Sequence, residues 1–384
     1  MRKSQPFRPP SPAFLSFLTV LSVVMAAVGV SAATAADPIR LGVAGPQSGD
    51  LASYGIPSAR AAELVVREVN AQGGVLGRQV KLLVEDDVCK PEIAANTAGK
   101  LVSDKADVVL GHICSGAAKA ALGIYRDAGI IAMSPSATNP ELTQSGQYPN
   151  FYRTIAPDDA QARIEVDFAL DTLKVKKLAV LHDKQDYGRG LAEFAKKFIE
   201  ASGGRAQVVL FEGITPGAVD YSAVIQKVRQ SGAEAVIYGG YHPEASKLVA
   251  GMRKKKIELP FISDDGVKDD TFIKVAGAFA EGVYASGPRD TSTNPLAIKA
   301  VAAHRAAFGG DPGAFYLNAW AATQALLNAI AKAGTTDATA VARALHSEYV
   351  DTPLGKIRFD ARGDAEGVGF AMYRVQKGVY VEVK

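Results

Sequence analysis

Long apolar runs are scarce in this 384-residue chain: beyond the first 36 positions there is none, and aromatic residues make up 8% of the whole. Both features read as a soluble globular protein. No low-complexity linker, glycine-serine tether or short-period repeat interrupts it. The common catalytic signatures are missing as well. There is no G-x-S-x-G elbow, no Walker A loop, no H-E-x-x-H and no G-x-G-x-x-G after a strand. The five histidines, at 112, 182, 242, 304 and 346, never stand at metal-ligand spacing. The residues therefore imply no metal, no cofactor and no enzyme.

Acidic residues are absent from positions 1–36, where Arg2, Lys3 and Arg8 precede the uncharged run AFLSFLTVLSVVMAAVGVSAATAA. A basic start, an apolar stretch and a small-residue end describe an export signal peptide, residues 1–36, with cleavage after Ala35 or Ala36. A retained anchor is the alternative, since the run approaches the length of a membrane span. Cleavage removes three basic residues and leaves 40 basic against 40 acidic. The basicity of the full chain thus belongs to the leader, and nothing global points to nucleic acid or a membrane surface. The remaining length, about 348 residues, exceeds one usual core and predicts two lobes.

Only two cysteines occur, Cys89 and Cys114. In an exported chain pairing is the default, and the loop it closes is 25 residues long. A paired Cys114 is not a nucleophile.

From Ile39 short β-branched runs alternate with amphipathic stretches. IRLGVAG precedes a helix expected from about Ser58 to Asn70, and VKLLVE, ADVVLGH and GIIAMS follow with helices between them. The pattern restarts near residue 158 with KLAVLHD, QVVLFEG, AEAVIYGG and LPFISDD. AEGVYASG, long helices and a hairpin-like GFAMYRVQKGVYVEV close the chain. Short continuous apolar strands between helices mean βαβ units and parallel sheets buried on both faces. The fold class is α/β, with two Rossmann-like, doubly wound lobes joined by several crossings that act as a hinge.

Hydroxyl-rich sequence recurs at the carboxyl ends of these strands, where open α/β sheets bind ligands. The stretches are GPQSGDLASYG, GHICSG, SPSATNP, HDKQDYG, YGGYHPE and SDDG. Ser115 and Thr138 stand where helices are expected to begin, so their hydroxyls and adjacent amides suit an anion such as a carboxylate. The same positions suit ordinary helix caps. Tyr187 and Tyr241 read equally as core aromatics, and Asp264 or Asp265 as turn or cap residues.

Taken together, SGDLASYG, NAQGGVLG, EDDVCKPE, GHICSG, SPSATNPELT, HDKQDYGRGLA, GITPG, YGGYHPE and GAFYLNAWAA occur in an order and spacing that resemble the periplasmic leucine/isoleucine/valine-binding proteins of ABC transporters. The resemblance covers nearly the whole chain after the leader and implies the type I periplasmic binding fold. Lobe 1 would be residues 37–157 and 289–367, and lobe 2 residues 158–288 and 368–384. It also implies a periplasmic monomer that captures a branched-chain L-amino acid and delivers it to an inner-membrane ABC permease. Carried over by position, Ser115 and the Thr138 amide would hold the ligand carboxylate with Tyr241. The Ser136 carbonyl, the Thr138 hydroxyl and Asp265 would hold its ammonium, while Tyr54 and Tyr187 would wall its side chain. Cys89 and Cys114 match the family's disulfide, and His112 reads as structural. Two positions depart from the family pattern: Asp265 stands where a glutamate is usual, and Ser136 where alanine is. Relatives of this fold that bind amides, urea, aromatic acids or keto acids, and sensors of amino acids, are the alternatives; a ligand without an amine would leave Asp265 unpaired.

Overall fold

Five strands, β1 (Ile39–Gly45), β2 (Val80–Asp86), β3 (Val108–Leu110), β4 (Ile131–Ser134) and β5 (Phe151–Arg153), make one parallel sheet in the order β2-β1-β3-β4-β5. The next five, β6 (Lys177–His182), β7 (Gln207–Gly213), β8 (Ala235–Gly239), β9 (Phe261–Ser263) and β10 (Tyr284–Pro288), make a second parallel array in the order β7-β6-β8-β9-β10. The two orders are the same. After a small hairpin, β11 (Val350–Thr352) with β12 (Gly355–Ile357), strands β13 (Phe370–Gln376) and β14 (Val379–Glu382) extend the second sheet antiparallel from β10. This is a computed structural model and it describes residues 1–6 and 36–383. The expected signal peptide, residues 1–36, falls outside the described residues except at its two ends. The fold begins at Asp37.

The central strands are buried on both faces, as their unbroken apolar runs require: β3 and β8 expose no residue. Ile39, Leu41 and Val43 of β1 pack with Val65 and with Trp320, Leu326 and Ile330 of the Tyr316–Ala333 helix. That helix comes late in the chain yet covers the first sheet, lying against the Ala52–Ala71 helix. The chain passes between the sheets three times, after β5, after β10 and before β13. No helix among the described residues is long and apolar enough to cross a membrane.

One helix starts six residues before its expected position, at Ala52 rather than Ser58. Pro57 lies inside it, in the second turn, where its missing N–H removes only the bond to the Ser53 carbonyl. Gly55 makes this early start possible: a Cβ there would stand 1.9 Å from the Pro46 carbonyl oxygen. The loop after β1 therefore lies directly on the first helical turn, and Tyr54 is carried on a helix rather than on a loop.

Cys89 and Cys114 are joined, with Cα atoms 5.5 Å apart. The bond ties the loop after β2 to the start of the Ser115–Asp127 helix. Closing 25 residues removes chain entropy from the unfolded state. The double variant Cys89→Ala/Cys114→Ala is expected to lose about 3 kcal/mol of stability, which urea unfolding under oxidising conditions measures directly.

Candidate functional site

In each array the strand order reverses between two neighbours, β1 and β3 in the first and β6 and β8 in the second. At such a switch point the flanking loops diverge and leave a crevice beyond the carboxyl ends of the strands. The two crevices face each other. From the first come Tyr54, following β1, and Ile113 to Ser115, following β3; from the second come Tyr187, following β6, and Tyr241, following β8. Ser136, after β4, and Asp265, after β9, complete the enclosure. The side chains close in on one another and leave about 10 Å³ of free space, room for little more than one water molecule.

Six candidates thus share one cavity: Tyr54, Ser115, Ser136, Tyr187, Tyr241 and Asp265. Three are aromatic and stack in a row, with Tyr54 and Tyr241 centroids 6.1 Å apart and Tyr187 and Tyr241 5.2 Å apart. The cleft is closed over them. The Tyr54 hydroxyl donates across it to the Gly266 carbonyl at 2.5 Å, and Ser53 Oγ meets His242 Nε2 at 3.2 Å.

Asp265 carries the charge. Its Oδ1 accepts from the Tyr187 hydroxyl, while its Oδ2 is buried without a hydrogen-bond partner. Burial raises its carboxyl to about 6, against the opposing hydrogen bonds from Tyr187 and Gln161. Burial also lifts the Tyr187 hydroxyl well above its ordinary value, with the Asp264 and Asp265 charges adding to the effect. Asp264, next in sequence, is fully buried and supports the backbone instead, its Oδ2 accepting from the Gly240 N–H at 2.8 Å.

Ser115 opens the Ser115–Asp127 helix as expected, but its hydroxyl accepts from the Asn139 N–H at 3.2 Å instead of capping its own helix. Ser136 donates its hydroxyl to the Ile113 carbonyl at 2.8 Å. Thr138 differs from expectation on two counts. It does not line the cavity, and it does not begin a helix; a single turn, Glu141–Gln144, starts after Pro140. The cause is Arg153, fully buried, whose Nη1 donates to the carbonyls of Thr138 at 2.8 Å and Asn139 at 3.0 Å. The Thr138 carbonyl also accepts from the Asp158 N–H at 3.0 Å, which takes it out of any helical hydrogen bond. The Thr138 hydroxyl is left buried with no hydrogen-bond partner.

Sequence reasoning passed over Asp158, Ile113, Gly266 and Phe315. Both Asp158 carboxylate oxygens are buried and unpartnered. Burial raises its carboxyl well above the usual range, the neighbouring Asp265 charge adds to this, and only the Thr138 hydroxyl and Arg153 oppose it. In sequence Asp158 looks like an ordinary acidic first turn of a helix, which it also is. Phe315 takes a left-handed φ of 60° ahead of the Tyr316–Ala333 helix, which turns its ring onto Tyr54 at 5.6 Å. His112, expected to be structural, is fully buried between Asp87 Oδ2 at 2.6 Å and the Tyr125 hydroxyl at 3.0 Å. Among the described residues no cluster of metal-ligating side chains occurs.

Residues 38–378 match the family described as periplasmic binding protein. The chain is 36% identical over 361 residues to a leucine-, isoleucine-, valine-, threonine-, and alanine-binding protein of Pseudomonas aeruginosa, covering 94% of this chain and 96% of the relative. Among solved structures, a leucine-binding protein from Thermotoga maritima superposes with a TM-score of 0.84 at 24% identity, covering 90% of this chain and 98% of that one. A branched-chain amino acid transporter substrate-binding protein from Streptococcus pneumoniae, in complex with isoleucine, gives 0.80 at 26% identity over 90% and 100% of the two chains.

The raised carboxyls make a prediction about stability. A carboxyl held near 6 in the fold and near 3.8 when unfolded binds its proton more tightly in the native state. Its favourable contribution is complete below pH 3.8 and is lost as the pH rises through about 6. Asp265→Asn is therefore expected to flatten the fall in melting temperature of the ligand-free protein across that window, read by calorimetry at successive pH values.

Proposed function

The chain belongs to the periplasmic binding protein family, and from that premise we propose that it captures one branched-chain L-amino acid between two closing lobes and delivers it to an ABC permease. Lobe 1 comprises residues 37–157 and 289–367, and lobe 2 residues 158–288 and 368–384; the three crossings between the sheets form the hinge. The leader, residues 1–36, directs the chain across the inner membrane, and the processed protein works in the periplasm as a monomer.

The observation that carries the reading is Asp265. A small aromatic-walled cavity with a buried carboxylate oxygen lacking any partner is built for a cation with an apolar body. An α-ammonium supplies the missing donor. Asp158 stands nearby with two more oxygens that lack a partner, a second acceptor on the same side. The Ser136 carbonyl is a further ammonium partner, and the Thr138 hydroxyl, buried just behind the closed cavity wall without a partner, joins it once a ligand widens the site. On the other side Ser115, with the positive end of its helix, receives the carboxylate together with the Thr138 amide and Tyr241. Tyr54, Tyr187 and Phe315 enclose the side chain.

Closure follows from differential binding. Lobe 1 contributes Ser115 and the Ser136–Thr138 loop, lobe 2 contributes Tyr187, Tyr241 and Asp265, and only the closed state engages both sets at once. A ligand that bonds to both lobes shifts the equilibrium by the affinity difference between the two states. No turnover is expected: among the described residues no histidine lines the cavity to act as a base for the Ser115 hydroxyl.

Calorimetric titration of refolded, ligand-free protein tests this. L-leucine is expected to bind one to one, and its keto acid not at all. Asp265→Asn should weaken leucine at least about 100-fold, the scale of breaking a buried charge pair. Leucine affinity should also fall as the pH drops through about 6, where Asp265 takes up a proton. Heat from the keto acid without heat from leucine would overturn the assignment of Asp265.

A further inference from the structure

Asn139 is held by four hydrogen bonds within its own half of the molecule. Its N–H donates to Ser115 Oγ at 3.2 Å, its carbonyl accepts from Arg153 Nη1 at 3.0 Å and from the Leu142 N–H at 3.2 Å, and its Oδ1 accepts from the Glu141 N–H at 2.9 Å. Only its amide NH₂ is left over, and that group donates across the cleft to the Asp186 carbonyl at 2.7 Å. Asp186 opens the helix Asp186–Glu200, which follows β6 in the opposite half.

Two glycines clear the approach. A Cβ on Gly190 would stand 3.0 Å from Asn139 Nδ2, and one on Gly116 3.2 Å from the Asp186 carboxylate. Lys119 adds charge at the same seam, paired with Glu141 at 2.7 Å and 3.9 Å from Asp186 Oδ1. Neither Asn139 nor Asp186 lines the ligand cavity.

We propose that Asn139 is the latch of the closed state, a positioning residue that ties closure to occupancy of Ser115 without touching the ligand. This rests on the binding function argued above. Ser115 Oγ takes the Asn139 N–H, so a ligand group that engages Ser115 also fixes the residue whose side chain reaches the other lobe. In an open cleft the Asn139 amide and the Asp186 carbonyl face water; closure exchanges two hydrations for one direct bond. The latch therefore acts on the lifetime of the closed complex and not on encounter.

Two variants test it from opposite sides. Asn139→Asp keeps the acceptor for Glu141 and turns the cross-cleft donor into an acceptor facing a carbonyl. Gly190→Ala leaves Asn139 intact and obstructs its approach. Stopped-flow measurements are expected to show leucine dissociation about 5- to 10-fold faster in each, the scale of one net hydrogen bond, with association changed by less than about twofold. Small-angle scattering of the ligand-free proteins supplies a second readout, in which both variants should lose compact, closed molecules relative to wild type. Wild-type dissociation rates and scattering in both variants would overturn the latch. If the wild-type protein binds no leucine, the functional reading fails, and the scattering comparison still decides the latch.

Discussion

The fold is organised around carboxylates that have been taken out of water. Asp158, Glu165, Asp264 and Asp265 are all buried, and each keeps an oxygen with no partner. An unpaired charge in such a place costs several kcal/mol even after relaxation, so these groups cannot all be ionised together. Each is pushed towards its neutral form by burial. The hydrogen bonds among them come from neutral groups, Gln161 donating to Ser286 at 2.8 Å and Ser286 to Glu165 at 2.7 Å, while the Arg153 charge bears on Asp158 from the other half. One half of the cleft thus holds carboxyls that a bound cation would draw into their charged form.

The opposing half is made rigid by a cation instead. The buried Arg153 guanidinium is paired with Asp364 at 2.6 Å and spends its other donors on the carbonyls of the Ala137–Asn139 loop and on Thr143. With the disulfide on one side and this clamp on the other, the backbone that faces the cavity has little freedom to rearrange. Hinged motion at the three crossings leaves each face of the site intact, because each face is fixed within its own half.

Much of this was legible in the sequence, and the rest was not, for definite physical reasons. Strand positions were readable because strands buried on both faces must be continuous apolar runs, and the hydroxyl-rich loops marked the ends where ligands bind. The matched strand orders were not readable, since adjacency depends on how helices cross a sheet. The early start of the Ala52–Ala71 helix was hidden by Pro57, normally a sign that a helix has not begun; only the contact between Gly55 and Pro46 shows otherwise. Thr138 looked like a helix start because threonine and proline commonly are, and a distant arginine decided the matter. Asp158 was invisible for the opposite reason, being an unremarkable acidic first turn whose surroundings come from residues far away in sequence.

The late position of the Tyr316–Ala333 helix has a consequence for how the chain is made. Strands β1 to β5 leave the ribosome long before the helix that covers their apolar face, and β13 and β14 complete the second sheet only late in synthesis. Neither half can finish burying its core while the chain is still growing, because each waits on segments from beyond the other. The same interleaving that joins the two halves keeps a growing chain incomplete until its last strands have been made.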